Sequence, residues 1–167
     1  MLSIVNGIDI VLATEEFIVQ QCNCVSVSPH GLSKHIAKTI GVDPYSSRIS
    51  LYGKNLAIVK DRPLPGTIKI YNKSNPKVIC MFSQYGMGKP YTYNNSNKQW
   101  VDSFDIRKKW FLESLEQIAN INPISLAFPY NIGCGQAGGN WSDNYYPMLV
   151  KFAKQHPEIK CVLYKLN

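Results

Sequence analysis

The sequence predicts an α/β domain in which helices cover a mixed, mostly parallel β-sheet. Strand-like and helix-like apolar patterns alternate along the chain, and two loops each follow a predicted strand and precede a predicted helix. The chain has 167 residues, 45% of them apolar and 17% charged, which is typical of a globular protein with a sizeable core. We therefore expect residues 1–167 to form a single domain.

The first half of the chain contains four predicted strands and one predicted helix. Short strands are expected at 4–5 and 17–22, and two further β-rich runs lie at 67–71 and 78–82, bounded by Pro-Gly and Asn-Pro. The helix is predicted by apolar residues at helical spacing, followed by two stop signals. These residues are Leu32, Ile36, Ile40, Gly41 and Pro44.

The second half contains two predicted helices and two predicted strands. An irregular polar loop at 86–102 precedes a helix that begins near Ser103. A strand at 124–129 leads into a glycine-rich loop, and a strand at 159–166 closes the chain. The helices are marked by Phe111, Leu115 and Ile118 in the first and by Tyr145, Leu149 and Phe152 in the second.

The composition argues against several classes of protein. Apolar stretches are broken after about eight residues, well short of the ~20 needed to cross a bilayer. Asn6 and Asp9 interrupt the start of the chain, where a secretion signal needs a basic and then an apolar region. An odd number of cysteines, in a chain large enough to need no disulfide, favours a reducing compartment. We expect a cytoplasmic monomer, in the host cytoplasm if the source is viral, without a membrane partner.

The net charge is +7, from 18 basic and 11 acidic residues. The excess is spread along the chain, and the one basic run is Arg-Lys-Lys at 107–109. Such a diffuse positive field suits an anionic ligand or simply solubility. Nucleic-acid binding is not favoured, because no basic stripe or stacking platform accompanies the charge.

The stronger candidate site is the glycine-rich loop 131–141. Four glycines in residues 133–139 allow the backbone to curl so that N–H groups converge on an anion, and the following helix adds its own free N–H groups. A diphosphate suits such a loop, whereas the alternative is a turn needed only for chain reversal. The loop matches neither the Walker A nor the GxGxxG pattern.

The second candidate site is the loop 23–33. The amide of Asn23 suits sugar hydroxyls as donor and acceptor, although a residue that only forms an Asx turn is an equal alternative. His30 places an imidazole at the helix start beside any bound anion, and a histidine without a catalytic role is the alternative. Ser33 is a candidate helix cap. In a parallel sheet both loops lie beyond the carboxyl ends of strands, where ligands bind.

Other constellations are weak. Cys22, Cys24 and His30 lack a second Cys/His pair at ligand spacing, so we expect no metal site. No nucleophile elbow is present, which argues against covalent acyl chemistry, and no cofactor is indicated. Lys89 lies in a loop after a strand and is either a solvated lysine or one that closes over a phosphate.

Together the two loops resemble those of the macro domain, an α/β fold that binds ADP-ribose. The chain is similar to small stand-alone macro domains known from viruses, phages and microbes. The similar segments occur in order at 20–25, 30–33, 43–45, 65–68, 84–86, 127–130 and 132–141. The resemblance implies a three-layer α/β/α fold with a mixed, mostly parallel central sheet, and ADP-ribose or a derivative lying across the carboxyl ends of its central strands.

The resemblance also implies roles for individual residues. Asp9, beside Ile10, would accept the adenine amino group, and Asn23 would contact the distal ribose. Trp141 would pack beneath the glycine loop. The other implied ligand-binding residues are His30, Gly31, Leu32 and Ser33 at the distal ribose and phosphates, and Ile132, Gly133, Cys134, Gly135, Gln136, Ala137, Gly138, Gly139 and Asn140 around the diphosphate.

The implied activity is removal of a group, such as a 1″-phosphate or a protein side chain, from the distal ribose. His30 would act as the acid or base and Asn23 would hold the ribose. The sequence departs from many hydrolytic relatives in lacking their triple glycine at 30–32, and it has Ala137 and Asn140 where relatives carry carboxylates. A non-catalytic reader of an ADP-ribose-like nucleotide, and a weak binder of RNA or poly(ADP-ribose), stay open as alternatives.

Overall fold

The computed structural model describes residues 1–90 and 100–167, in which six strands form one sheet and three α-helices pack against it. The strands are β1 (Leu2–Asn6), β2 (Phe17–Asn23), β3 (Ile68–Tyr71), β4 (Lys77–Gln84), β5 (Ser125–Pro129) and β6 (Lys160–Lys165). The helices are α1 (Gly31–Ile40), α2 (Phe104–Asn120) and α3 (Tyr146–Gln155). Residues 91–99 of the polar loop expected at 86–102 lie outside the described residues. None of the described helices is long and apolar enough to cross a membrane.

The sheet is mixed and mostly parallel, as predicted. Its strand order is β1-β6-β5-β2-β4-β3, and within the described residues only the pairing of β3 with β4 is antiparallel. Strands β2 and β5 are neighbours near the centre, with Phe17 in register with Leu126. The loops that follow these two strands therefore emerge side by side at one edge of the sheet.

The sheet is the middle of three layers, which confirms the predicted α/β/α architecture. Alternate residues of each strand pack on opposite faces. On one face Ile18 joins a buried cluster with Ile36 of α1. On the other face Val19 joins a second cluster with Phe111 of α2 and Leu149 of α3.

The helix boundaries follow local sequence signals, with one exception. Helix α1 ends at Gly41, which adopts the left-handed conformation, and α2 starts after Ser103, whose Oγ accepts a hydrogen bond from the N–H of Ile106. Helix α3 was expected to include Tyr145, but it starts one residue later, after a π-helical turn at Trp141–Tyr145. In this turn the carbonyl of Asn140 accepts from the N–H groups of both residues 144 and 145.

Ser33 does not cap α1. The helix begins at Gly31, so the cap position belongs to His30, whose side chain makes no capping hydrogen bond. Ser33 lies inside the first turn, where its buried Oγ donates to Oε1 of Gln20 at 2.9 Å. The side chain of Ser33 therefore points to the sheet, where Gln20 lies, and not to the free N–H groups at the start of the helix.

Candidate functional site

Two adjoining cavities open at the carboxyl ends of β2 and β5. The larger has a volume of about 840 Å³ and the smaller about 520 Å³. Five residues line both cavities, namely Gly31, Leu32, Pro129, Tyr130 and Asn131. The shared wall makes the two cavities parts of one elongated cleft, in the position expected for a ligand of an α/β sheet.

Free backbone N–H groups of the glycine loop lie at the larger cavity. Among the described residues, the N–H groups of Gly133, Gly135, Gln136 and Ala137 donate no hydrogen bond to the protein, and all four residues line this cavity. The N–H groups of Cys134, Gly138 and Gly139 are instead used inside the loop, where they donate to carbonyl oxygens. Four residues with unpaired N–H donors therefore line one cavity, which is what an anion-binding nest requires.

The ring of Tyr145 forms the floor beneath the glycine loop. A Cβ atom at Gly133 or Gly139 would lie 2.7 Å or 2.6 Å from opposite edges of this ring. Tyr145 is buried and packs edge-to-face on Phe111, with ring centroids 5.0 Å apart. Burial raises the pKa of Tyr145 to about 12, so the floor is a neutral phenol. Only glycine fits at residues 133 and 139, because the loop backbone rests directly on an aromatic ring.

Asn23 ends β2, forms the turn that follows it and lines the larger cavity. Its Oδ1 accepts hydrogen bonds from the N–H groups of Val25 at 3.0 Å and Ser26 at 2.7 Å, which makes it a turn residue. Among the described residues its Nδ2 has no acceptor, and Asn23 lines the larger cavity. The residue therefore offers the cavity a donor, but its oxygen is already occupied.

Arg48 and Tyr45 fix the backbone around Asn23. The buried guanidinium of Arg48 donates to the carbonyl oxygens of Ser26 at 2.8 Å and Asn23 at 3.1 Å, and it lies over the Tyr45 ring. The N–H of Asn23 donates to the Tyr45 hydroxyl at 3.1 Å. These contacts hold the turn after β2 in place. Tyr45 belongs to the segment 43–45 that carries the resemblance but had no predicted role, and Arg48 was not singled out from the sequence.

His30 lies at the mouth of the larger cavity. It is exposed and lines the cavity together with its neighbours Gly31, Leu32 and Ser33. Of these, Ser33 is buried and already donates to Gln20. The imidazole of His30 is thus the accessible titratable group on this side of the cavity.

Asp9 and Ile10 line the smaller cavity, which shares Gly31 and Leu32 with the larger one. Oδ1 of Asp9 accepts from the N–H of Val11 at 3.1 Å, and Oδ2 lies 2.7 Å from Nε2 of His35 on α1. His35 lines the same cavity. A carboxylate has further lone pairs, so Asp9 retains the capacity to accept from a ligand.

Some predicted residues lie away from the cavity walls. Asn140 is exposed and caps the π-helical turn, its Oδ1 accepting from the N–H of Asp143 at 3.0 Å. Trp141 packs against Tyr130, with ring centroids 4.8 Å apart and planes tilted by 50°. The ring that contacts Gly133 and Gly139 is that of Tyr145. Ile132 does line the larger cavity, whereas Cys134, Gly138, Gly139 and Asn140 do not.

A buried ion pair stands where the sequence suggested only surface charge. Arg107 belongs to the basic run 107–109, yet its side chain is buried and bonds Asp102 at 2.6 Å. The helical spacing of the sequence could have predicted this burial, because Arg107 lies on the same face of α2 as the apolar residues Phe111, Leu115 and Ile118. A cation on such a stripe must be paired inside the protein.

Within the described residues, the wall of the larger cavity carries a lysine and no carboxylate. Lys89 and His30 line it, and no Asp or Glu of the described residues does. Gln21 and Gln84 line it as well, and Nε2 of Gln21 donates to Oε1 of Gln84 at 2.6 Å. The described residues contain no cluster of three or more His, Cys, Asp or Glu side chains able to hold a metal. The site can therefore attract an anion through amides and positive charge.

No family model matches the chain, and no curated protein is significantly similar to it in sequence. Solved structures are similar in fold. The macrodomain of Mycobacterium tuberculosis DarG is 20% identical with a TM-score of 0.67, over 99% of this chain and 97% of that one. The Thermus aquaticus DarG macrodomain is 18% identical with a TM-score of 0.65, over 99% and 98% of the two chains. A mutant of the Oceanobacillus iheyensis macrodomain is 16% identical with a TM-score of 0.57, over 98% and 84%. The chain therefore has the macrodomain fold.

Proposed function

We propose that the protein binds ADP-ribose or an ADP-ribose derivative across the two joined cavities. One observation carries this proposal. Four residues that line the larger cavity also have N–H groups without an acceptor among the described residues, namely Gly133, Gly135, Gln136 and Ala137. A diphosphate placed there would accept from several of these donors at once, without displacing any internal hydrogen bond. Lys89, also on the wall, adds positive charge.

The smaller cavity suits the adenosine end of the ligand. Asp9 lines it and has acceptor capacity for the adenine amino group, while Tyr130 and Asn131 form the wall shared with the larger cavity. The other end of the ligand, the distal ribose, would then lie near Asn23 and His30. Nδ2 of Asn23 would donate to a ribose hydroxyl, which is a narrower role than donor and acceptor together.

We also propose that the protein removes a group from the distal ribose. With no carboxylate on the wall of the larger cavity within the described residues, we assign the proton transfer to the exposed imidazole of His30. Its imidazole would protonate the leaving group or orient water, and the loop amides would stabilise charge on the phosphates. The same lack of a carboxylate favours a second candidate function, in which the protein binds the nucleotide without catalysing a reaction (a non-catalytic reader).

Calorimetric titration with ADP-ribose, with AMP as the control, tests binding. Micromolar affinity for ADP-ribose and weak affinity for AMP are expected, because AMP lacks the second phosphate and the distal ribose. Absence of ADP-ribose binding would contradict the proposal.

Turnover of ADP-ribose-1″-phosphate and of an ADP-ribosylated protein then separates the two candidates. His30→Ala and His30→Gln are expected to abolish turnover while ADP-ribose still binds. His35→Ala, in the smaller cavity, serves as the matched histidine control and is expected to keep turnover at saturating substrate. Unchanged turnover in His30→Ala would refute the role of His30, and no turnover by the unmodified protein would favour the reader.

A further inference from the structure

Arg107 uses all of its hydrogen-bonding capacity inside the protein. Nε donates to Oδ1 of Asp102 at 2.6 Å, and Nη2 donates to Oδ2 of Asp102 at 2.8 Å and to the carbonyl of Gly86 at 3.3 Å. Nη1 donates to the carbonyls of Gly88 at 2.6 Å and Ala137 at 3.5 Å. Oδ2 of Asp102 also accepts from the N–H of Gly86 at 2.9 Å. The five N–H groups of the guanidinium thus hold one carboxylate and three backbone carbonyls.

These contacts join two walls of the larger cavity that are far apart in sequence. One wall is the segment 86–89, of which Met87, Gly88 and Lys89 line the cavity, and the other is the glycine loop. A second contact joins the same walls, because a Cβ atom at Gly138 would lie 2.8 Å from Cγ of Lys89. The stem of Lys89 therefore lies against the loop whose free N–H groups line the cavity.

The contact with Ala137 also fixes the direction of a peptide unit in the loop. The carbonyl of Ala137 is directed at the buried guanidinium, and the N–H of the same peptide unit, that of Gly138, donates to the carbonyl of Gly135 at 3.0 Å. Both ends of this peptide are thereby held. Without Arg107, only the hydrogen bond from Gly138 to Gly135 would hold this peptide unit. A rotation that breaks this bond would turn the carbonyl of Ala137 towards the cavity, where its negative end repels an anion.

We propose that Arg107 and Asp102 are positioning residues for the anion-binding part of the cavity. The pair would hold the segment 86–89 against the glycine loop, so that Lys89 and the free N–H groups act on the same ligand. Neither side chain lines the cavity, so the effect is transmitted through Gly88, Lys89 and Ala137. The link to ligand binding rests on the proposed function, whereas the link to loop order does not.

The test uses a double variant, Arg107→Met with Asp102→Leu. Removing one partner alone would leave a buried charge unpaired and threaten folding, whereas apolar replacement of both is usually tolerated. Arg107→Lys is the second variant, which keeps the charge for Asp102 but lacks the planar fork that reaches three carbonyls. The matched control is Asp105→Asn with Lys108→Met, which removes an ion pair of 3.0 Å between exposed Asp105 and half-buried Lys108 on the same helix.

Hydrogen exchange without ligand tests the effect on loop order. In the double variant the N–H of Gly138 is expected to exchange about tenfold faster or more, while amides of α2 and of the central strands keep their rates. Unchanged exchange at Gly138 would overturn the proposal. Equal acceleration throughout α2 and the sheet would overturn it too, because the pair would then serve the general stability of the fold.

ADP-ribose titration tests the effect on the ligand. Lys89→Met is expected to weaken ADP-ribose binding several-fold in the otherwise unmodified protein. The same substitution should have a much smaller effect in the double variant, because Lys89 is no longer held over the loop there. Equal effects of Lys89→Met in both backgrounds would overturn the positioning role. If the unmodified protein does not bind ADP-ribose, the proposed function fails, and hydrogen exchange at Gly138 still decides whether the pair orders the loop.

Discussion

Gly133 lies against the ring of Tyr145 so closely that a Cβ atom at residue 133 would stand 2.7 Å from Cε1 of the ring. Gly133 also adopts a left-handed conformation, with φ of +79°. The free N–H group of Gly133 at the cavity wall therefore depends on the absence of a side chain. This relationship fixes the shape of the glycine loop at residue 133.

Gly133→Ala is expected to destabilise the protein by about 2 kcal/mol or more, because left-handed strain and contact with the ring add together. For a chain of this size that corresponds to a fall of roughly 4–8 °C in Tm. ADP-ribose affinity should fall with it, by about tenfold or more. Thermal unfolding and calorimetry measure the two effects.

Gly135→Ala is the control in the same loop. A Cβ atom there meets nothing within 4 Å, and its N–H group remains free. We expect a Tm close to that of the unmodified protein and retained binding. Equal losses in both variants would contradict the role given to the Tyr145 ring.

Asn23→Asp and Asn23→Ala separate the turn from the ligand contact. Aspartate keeps the oxygen that accepts from the N–H groups of Val25 and Ser26, and the guanidinium of Arg48 lies nearby, so the stability should be unchanged. Alanine leaves both N–H groups without that acceptor and should cost about 1–3 kcal/mol. Both variants should lose affinity for ADP-ribose, since both lack Nδ2. Full binding by Asn23→Asp would show that this donor does not contact the ligand.

Arg48→Met is expected to lower the free energy of unfolding by about 2 kcal/mol, because the carbonyls of Asn23 and Ser26 lose their buried donor. Arg48→Lys should restore only part of the loss, since an ammonium group lacks the planar fork. Urea unfolding measures the change, and Lys151→Met, an exposed cation on α3, is the control. If Arg48→Met were as stable as this control, the turn after β2 would not depend on Arg48.

Stability is expected to fall as the pH rises above about 9. Burial raises the pKa of Cys134 and of Cys161 to about 11, from an ordinary value of 9.0. Between about pH 9 and pH 11, the two thiols lose their protons in the unfolded chain but keep them in the folded chain. The folded state then binds more protons, so the free energy of unfolding decreases with increasing pH. Urea unfolding at pH 8, 9 and 10 measures this fall, and the double variant Cys134→Ser with Cys161→Ala should reduce it. If the two substitutions leave this decrease with pH unchanged, groups other than Cys134 and Cys161 cause it.

The order of elements was predictable because each apolar stripe obeys a simple period. The stripe of Phe111, Leu115 and Ile118 located α2, and Gly41 located the end of α1. The positions of the two cavity loops followed from the same pattern, since each follows a strand of a mostly parallel sheet.

Contacts between distant segments were not predictable from periodicity. The adjacency of β2 and β5, which brings the two loops together, depends on the strand order of the whole sheet. The pairing of Asp9 with His35 joins the N-terminal segment to α1 across 26 positions. In the sequence, Arg107 is part of a basic run, and the run gives no sign that its side chain is buried. The structure shows the partners that allow this burial, namely the carboxylate of Asp102 and the carbonyl of Gly88.

An ADP-ribose titration followed by the amide resonances of the glycine loop tests the central claim most directly. Within the described residues, the N–H groups of Gly133, Gly135, Gln136 and Ala137 have no acceptor, and all four residues line the cavity. Their proton resonances should therefore move downfield as they donate to the diphosphate. The N–H groups of Cys134, Gly138 and Gly139 are already bonded within the loop and should shift much less. Binding that leaves the four free amides unmoved, or that shifts all seven alike, would contradict the assignment of this loop as a diphosphate cradle.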